Sequence, residues 1–168
     1  MDQPLSTALL GKILEQIERA DHLISALPEE DLDWAPPVPG AWSAGLLLGH
    51  LLDCLAGFCA VLYAAHPDRL GHFDHLRELP VNCRSSKDSA RARILVYRGH
   101  IIEGFALLTD AELGRRLRTA FVSDGEPVLT LLLGNLEHLI NHKHQLFTYL
   151  KLIGVPLGTP DLYHFRGR

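Results

Sequence analysis

Two histidines four residues apart, His138 and His142, stand in the longest amphipathic run of the chain, VLTLLLGNLEHLINHKHQLFTYLKLIG, Val128 to Gly154. On a helix, residues four apart lie one above the other with Cβ atoms about 5–6 Å apart, so both imidazoles can aim at one point. One helix offers two ligands to a metal ion in this way. The pair alone is weak evidence. Ten histidines occur among 168 residues, and chance then supplies about half a four-apart pair. Two surface histidines are the plain alternative, so a third ligand has to be found. His50 is the candidate, as the one histidine in the apolar run Ala44 to Ala65. On such a face an isolated histidine is ordinarily a hydrogen-bonded core residue. Opposite two convergent imidazoles it completes a three-histidine set with one open position. That is the usual catalytic zinc arrangement, and nickel, iron or copper accept the same ligands.

The elements that must position these rings follow from periodicity and punctuation. In the run from Val128 to Gly154, Leu132, Leu136, Leu139, Leu146, Leu150 and Ile153 form a core face; beside it run Asn135, His138, His142, Gln145 and Tyr149. Pro127 suits the first helical position, and Gly154 with Pro156 ends the helix. A first helix is predicted from a Ser6 or Thr7 cap to about Ala26, with Leu10, Ile13, Leu14, Ile17, Ile24 and Leu27 facing inward. Pro28 stops it. The segment PEEDLDWAPPVPGAWS then forbids a long helix, and Trp34 and Trp42 are expected to pin it to the bundle by packing.

Ser43 starts a second helix, Ala44 to about Ala65, carrying His50, Asp53 and Cys54. Asp53, one turn from His50, is a candidate to orient that ring, with capping and surface roles as alternatives. Residues 66–83 read as an irregular connection in which His72 and His75 are a solvated loop pair. Ser85 with Asp88 suggests a capping box for a third helix to about Leu108, where His100 lies off the core stripe in a surface or hydrogen-bonded role. Thr109 or Asp110 should cap a short turn through Leu113. A polar, partly extended stretch then leads to the turn Ser123-Asp124-Gly125, and after Gly154 a Pro/Gly-punctuated tail should lie on the surface. Four long helices without a convincing strand run predict an all-α protein. Its connections are too long for tight antiparallel turns, which favours a bundle with crossovers.

Composition sets bounds. The length suits one domain over 1–168, and 47% hydrophobic residues argue against disorder. A net charge of −4 with no Lys/Arg cluster lacks the footprint of nucleic-acid binding. The start MDQPLSTALLG has no basic n-region, and Cys54, Cys59 and Cys83 form no paired framework, so a cytoplasmic setting is expected. Ala44–Ala65 is long enough to span a bilayer, but Asp at a span's centre costs roughly 2.5–3.5 kcal/mol, and no flanking Lys or Arg cluster sets an orientation. A helix apolar nearly all round also suits the buried element of a soluble bundle, with no membrane partner.

The runs LDWAPPVPGAWSAGLLLGHLLD and HLINHKHQLFTYLKLIGVP carry a resemblance. With Trp34, Trp42-Ser43 and Gly49-His50-Leu51 in the first, and His138, His142 and Gln145 in the second, the chain resembles the DinB/YfiT-like family of metalloenzymes. The resemblance implies a four-helix bundle with crossover topology, often dimeric, whose three histidines bind a divalent metal. Carried over, these are His50, His138 and His142, with zinc or nickel first and iron also acceptable. Family members commonly carry an Arg between the last ligand and the Gln. This chain has Lys143-His144 there, which bears on any role of that Arg in holding an anionic substrate. His144 points about 200° round the helix from His142 and is not counted as a ligand.

Characterised relatives include enzymes that use a low-molecular-weight thiol, such as bacillithiol or mycothiol. The resemblance therefore implies a metal-dependent thiol S-transferase acting on a small-molecule substrate. Alternatives are a metal-dependent hydrolase, or a non-catalytic stress-related or ligand-binding bundle in which Cys54 closes a structural metal site. A di-iron carboxylate bundle needs Glu-x-x-His on two helices, and no glutamate here has that partner.

Overall fold

The computed structural model describes residues 3–118 and 123–165. Helices α1 (Leu5–Ala26), α2 (Ala44–Ala65), α3 (Lys87–Phe105) and α5 (Val128–Leu152) carry the apolar stripes, with one-turn helices α4 (Asp110–Leu113) and α6 (Thr159–Leu162) between and after them. The fold is all-α. Both α1 and α2 pack mainly against α3 and α5, so α1 sits across the bundle from α2, and α3 across from α5. This is the crossover arrangement that the long connections imply. Ile13, Ile17 and Leu23 of α1, Leu48, Phe58 and Leu62 of α2, Tyr97 and Ile101 of α3, and Leu132, Leu146 and Leu150 of α5 fill a continuous core. Each such side chain contributes roughly 1.5–3 kcal/mol by leaving water.

With a mean hydropathy of 1.9, α2 is apolar enough to cross a bilayer, but that apolarity is met inside the bundle. Leu47, Leu48, Leu52, Phe58 and Leu62 are all completely buried. Gly57 lets α5 come close: a Cβ there would stand 2.6 Å from Asn135 Oδ1. The start of α2 is satisfied locally and by the folded-back Pro/Gly segment. Ser43 Oγ accepts from Leu46 N, while Ala44 N and Gly45 N donate to the carbonyls of Trp34 and Leu32.

Several helix ends differ from expectation. Neither Ser6 nor Thr7 caps α1; it begins at Leu5, and the carboxylate of Asp110 accepts from Leu5 N and Ser6 N, each at 2.9 Å. Two charge-assisted bonds from a distant residue outcompete one local hydroxyl. Ser86, not Ser85, caps α3 by accepting from Ser89 N, while Ser85 is tied elsewhere, its Oγ donating to the carbonyl of Ser86 and its N to that of Gly45 in α2. That helix stops at Phe105, short of Leu108, and Thr109 with Glu112 forms a capping box that starts α4.

The irregular connection contains a 3-10 segment, Gly71–Glu78, anchored by buried Phe73. A two-residue antiparallel pairing of β1 (Arg116–Leu117) with β2 (Glu126–Pro127) closes the extended stretch, of which 119–122 lie outside the described residues. The tail lies on α1, where His22 meets Asp161 at 3.1 Å and stacks on His164; residues 166–168 lie outside the described part.

Candidate metal centre

Nearly two turns into α2 and midway along α5, the three histidines meet. His50 Nε2 and His138 Nε2 are 3.0 Å apart, and one nitrogen from each of His50, His138 and His142 lies within 4.8 Å of the others. Their ring centroids stand 4.5–4.9 Å apart. Around a tetrahedral ion with bonds of 2.0–2.1 Å, ligand nitrogens are about 3.3 Å apart, so His50 and His138 already stand near that spacing and His142 is within reach of the same ion.

The outer nitrogens decide which face each ring presents. His142 Nδ1 donates to Gln145 Oε1 at 2.9 Å, Gln145 Nε2 donates to Tyr149 Oη at 3.2 Å, and the Tyr149 hydroxyl donates to the carbonyl of Trp42. This chain leaves the Nε2 lone pair of His142 for the centre. His50 Nδ1 is 3.3 Å from Asn82 Oδ1 and 3.8 Å from Asp53 Oδ2. Asp53 in turn accepts from Asn82 N at 2.7 Å. Asp53 thus reaches His50 chiefly through Asn82, whose φ of 50° is one that Asn tolerates. Gly49 makes room for this segment, since a Cβ there would fall 1.7 Å from the carbonyl oxygen of Cys83.

Electrostatics suit ligation. Desolvation, then the neighbouring His142 and His50, hold His138 below the ordinary imidazole value of 6.5. Desolvation also lowers His142, aided by His50 and opposed by the Gln145 bond. Neutral imidazoles are the ligating form, so the lowering of His138 and His142 reduces proton competition with a divalent cation at these two rings. The donor set fits zinc, nickel or iron(II).

The neighbours sort clearly. Cys54 donates its thiol to the carbonyl of His50 at 3.3 Å, and burial, with the Asp53 charge, pushes it up to about 12. It does not join the set. Lys143 turns away from the centre to Gln16 of α1, donating to Oε1 at 2.8 Å, and His144 lies beside Phe147. Neither supplies a cation at the site, so Lys143 does not take up an anion-holding role there. Trp34 packs edge-on to Tyr149 as expected. Trp42 does more than pack: its ring lies 4.7 Å from that of His50 and is stacked 5.8 Å from that of His142.

A cavity of about 280 Å³ lined by Trp42, Leu46, His50 and Asn82 opens beside the histidines. A larger one, about 630 Å³ between the start of α1 and the end of α3, is lined mainly by apolar residues such as Leu10 and Phe105, and its carboxylate, Asp110, is committed to capping α1. Sequence reasoning missed Asn82 and the second role of Trp42. Asn82 is 32 positions from His50, and no spacing rule connects them.

The profile of the DinB superfamily matches residues 13–146, a span that includes all three histidines and Gln145. No curated protein matches the chain. Among solved structures, a DinB-like protein of Bacillus subtilis, YjoA, is similar in fold, with a TM-score of 0.67 at 18% identity over 89% of this chain and 96% of that one. The profile match over most of the chain joins the bundle and its histidine trio to one family: the chain belongs to the DinB superfamily.

Proposed function

We propose that His50, His138 and His142 hold one divalent ion, zinc or nickel in first place and iron as the alternative, and that the protein is a metal-dependent thiol S-transferase. The observation that carries this reading is an imidazole trio, two of its rings tethered at the outer nitrogen, that borders an open cavity, while Cys54, the nearest thiol on α2, is turned to a backbone carbonyl. A structural site would need a fourth protein ligand, and Cys54 does not offer itself as one.

A cation bound there supplies positive charge that favours a thiolate over a thiol, whose ordinary pKa is about 8.5. The chain's own residues do the rest. Gln145 and Asn82 orient two ligand rings, and Trp42 with Leu46 walls the cavity in which a small electrophile would sit. In the reaction the thiol proton passes to solvent, the sulfur lone pair forms the S–C bond, and the leaving group departs with its electron pair. The sulfur is that of the added thiol: Cys54 and Cys59 are buried, both pushed up to about 12, and exposed Cys83 is given no part in the transfer.

Conjugation of a model electrophile to bacillithiol, mycothiol and glutathione, followed with metal-loaded and metal-stripped protein, tests this. A rate that requires the metal is expected, with at least one thiol. Equal rates in the two preparations would overturn metal-assisted transfer, and no rate above background would favour the non-catalytic bundle. The proposal extends to a cytoplasmic homodimer: Leu133 and Ile140 lie two turns apart on α5, 46% and 37% exposed. Light scattering that returns the single-chain mass of 18.7 kDa would remove the dimer.

A further inference from the structure

A second group of histidines lies away from this centre. Where the 3-10 segment Gly71–Glu78 meets α3, His72 and His100 each meet the ring of Phe73 and His75 meets that of His100, with Glu103 one turn beyond His100. The rings of His75 and His100 are 5.2 Å apart between centroids, and those of His72 and His100 are 6.0 Å apart. Imidazoles that share a tetrahedral ion at 2.0–2.1 Å have centroids about 5 Å apart.

Each of the three rings has one nitrogen engaged by an oxygen. His72 Nε2 meets Glu103 Oε2 at 3.1 Å, His75 Nδ1 meets the carbonyl of His72, and His100 Nδ1 meets the carbonyl of Val96 at 2.8 Å. A nitrogen that donates to a carbonyl or carboxylate carries the proton, which leaves the lone pair on the other nitrogen. A carboxylate or carbonyl behind a histidine is the usual outer support of a metal-binding ring. The group is looser than the first: among the described residues only His50, His138 and His142 bring their nitrogens within 4.8 Å. Closing it takes side-chain rotation, and half-exposed His72 and Glu103 have the freedom for that.

We propose that His72, His75 and His100 form a second divalent-cation site, of zinc-like preference and weaker than the first, with Glu103 as the outer partner of His72. The cation fastens the 71–78 segment to α3. Phe73 already fixes the middle of that segment in the core, so binding orders the two exposed histidines that flank it rather than the whole loop.

Equilibrium dialysis of tag-free protein against zinc tests the site. Two ions per chain are expected in the unaltered protein. His138→Ala should keep only the second, His100→Ala only the first, and the double variant neither. His75→Gln, at an exposed position, should repeat the effect of His100→Ala, weakening the second ion by more than about tenfold. In His138→Ala, zinc should also slow amide exchange over 71–78, and it should not do so in the double variant. One ion bound by His100→Ala with none bound by His138→Ala would overturn the second site and leave the first standing. The reverse pattern would remove the first and leave the second. Unchanged affinity for the second ion in both His100→Ala and His75→Gln would also overturn it.

Discussion

At His142, a single bond to Gln145 selects which nitrogen faces the centre, and Gln145 is itself held by Tyr149. Gln145→Leu removes the acceptor and frees the ring to rotate or change tautomer. Metal affinity should fall about 10–100-fold, with helicity unchanged, in a competition titration against a chelator. Asn82→Ala should cost less, because its 3.3 Å contact with His50 is long for a hydrogen bond. Undiminished affinity in Gln145→Leu would mean that the tether does not position His142. The histidine pair and its glutamine were legible because helical spacing places residues 138, 142 and 145 on one face. Asn82 was not legible, since a loop residue gains its role only from where the chain returns. Trp42 was read as packing for a related reason: a tryptophan before a helix carries no sign of which ring it will cover.

Between elements, the closest approach near the site is the loop carbonyl of Cys83 over Gly49 of α2. A methyl group placed 1.7 Å from a backbone oxygen cannot be absorbed by a rotamer change. Gly49→Ala should therefore cost at least about 1–3 kcal/mol, and it should also displace Asn82 from His50, so thermal stability and metal affinity fall together. Gly57→Ala meets the side chain of Asn135 instead, which can swing aside, so its effect should be the smaller. Comparing the two melting temperatures checks this ordering.

The cap on α1 offers a pH test. The amides of Ser6 and Leu5 hold Asp110 below its ordinary 3.8. A depressed carboxylate contributes stability that is present above its unfolded value and lost as pH falls through the folded one. Asp110→Ala should melt lower than the unaltered protein at neutral pH, and the gap should close below about pH 3.8. The long helices, with bounds within a few residues, follow from apolar periodicity and Pro/Gly punctuation. The Ser43 cap of α2 follows as well, but the cap of α1 does not, because Asp110 reaches it from 104 residues away.

Across the whole molecule, crossover connectivity was readable from linker length, but the buried charge pattern was not, since burial of Lys143 depends on which helix α5 faces. Desolvation, then the nearby Arg19, pulls Lys143 from 10.5 down to about 8. Between those values the unfolded chain binds a proton that the folded one does not, so stability rises with pH by up to about 1.4 kcal/mol per unit. The thiols act in the opposite sense. Burial raises Cys54 and Cys59 from 9.0 to about 12, so above pH 9 the folded state holds two protons that the unfolded state has lost. Two falling contributions exceed one rising one. The unfolding free energy of the metal-free protein should therefore climb from pH 8, peak near pH 9 and decline beyond it. Lys143→Met removes the rising limb, and Cys59→Ala, which also removes one falling contribution, shifts the decline to higher pH. Urea unfolding at half-unit steps from pH 7.5 to 10.5 resolves the peak. A profile in the unaltered protein that falls monotonically from pH 8 would mean that Lys143 keeps its proton in the fold, shielded by Gln16 and Glu15.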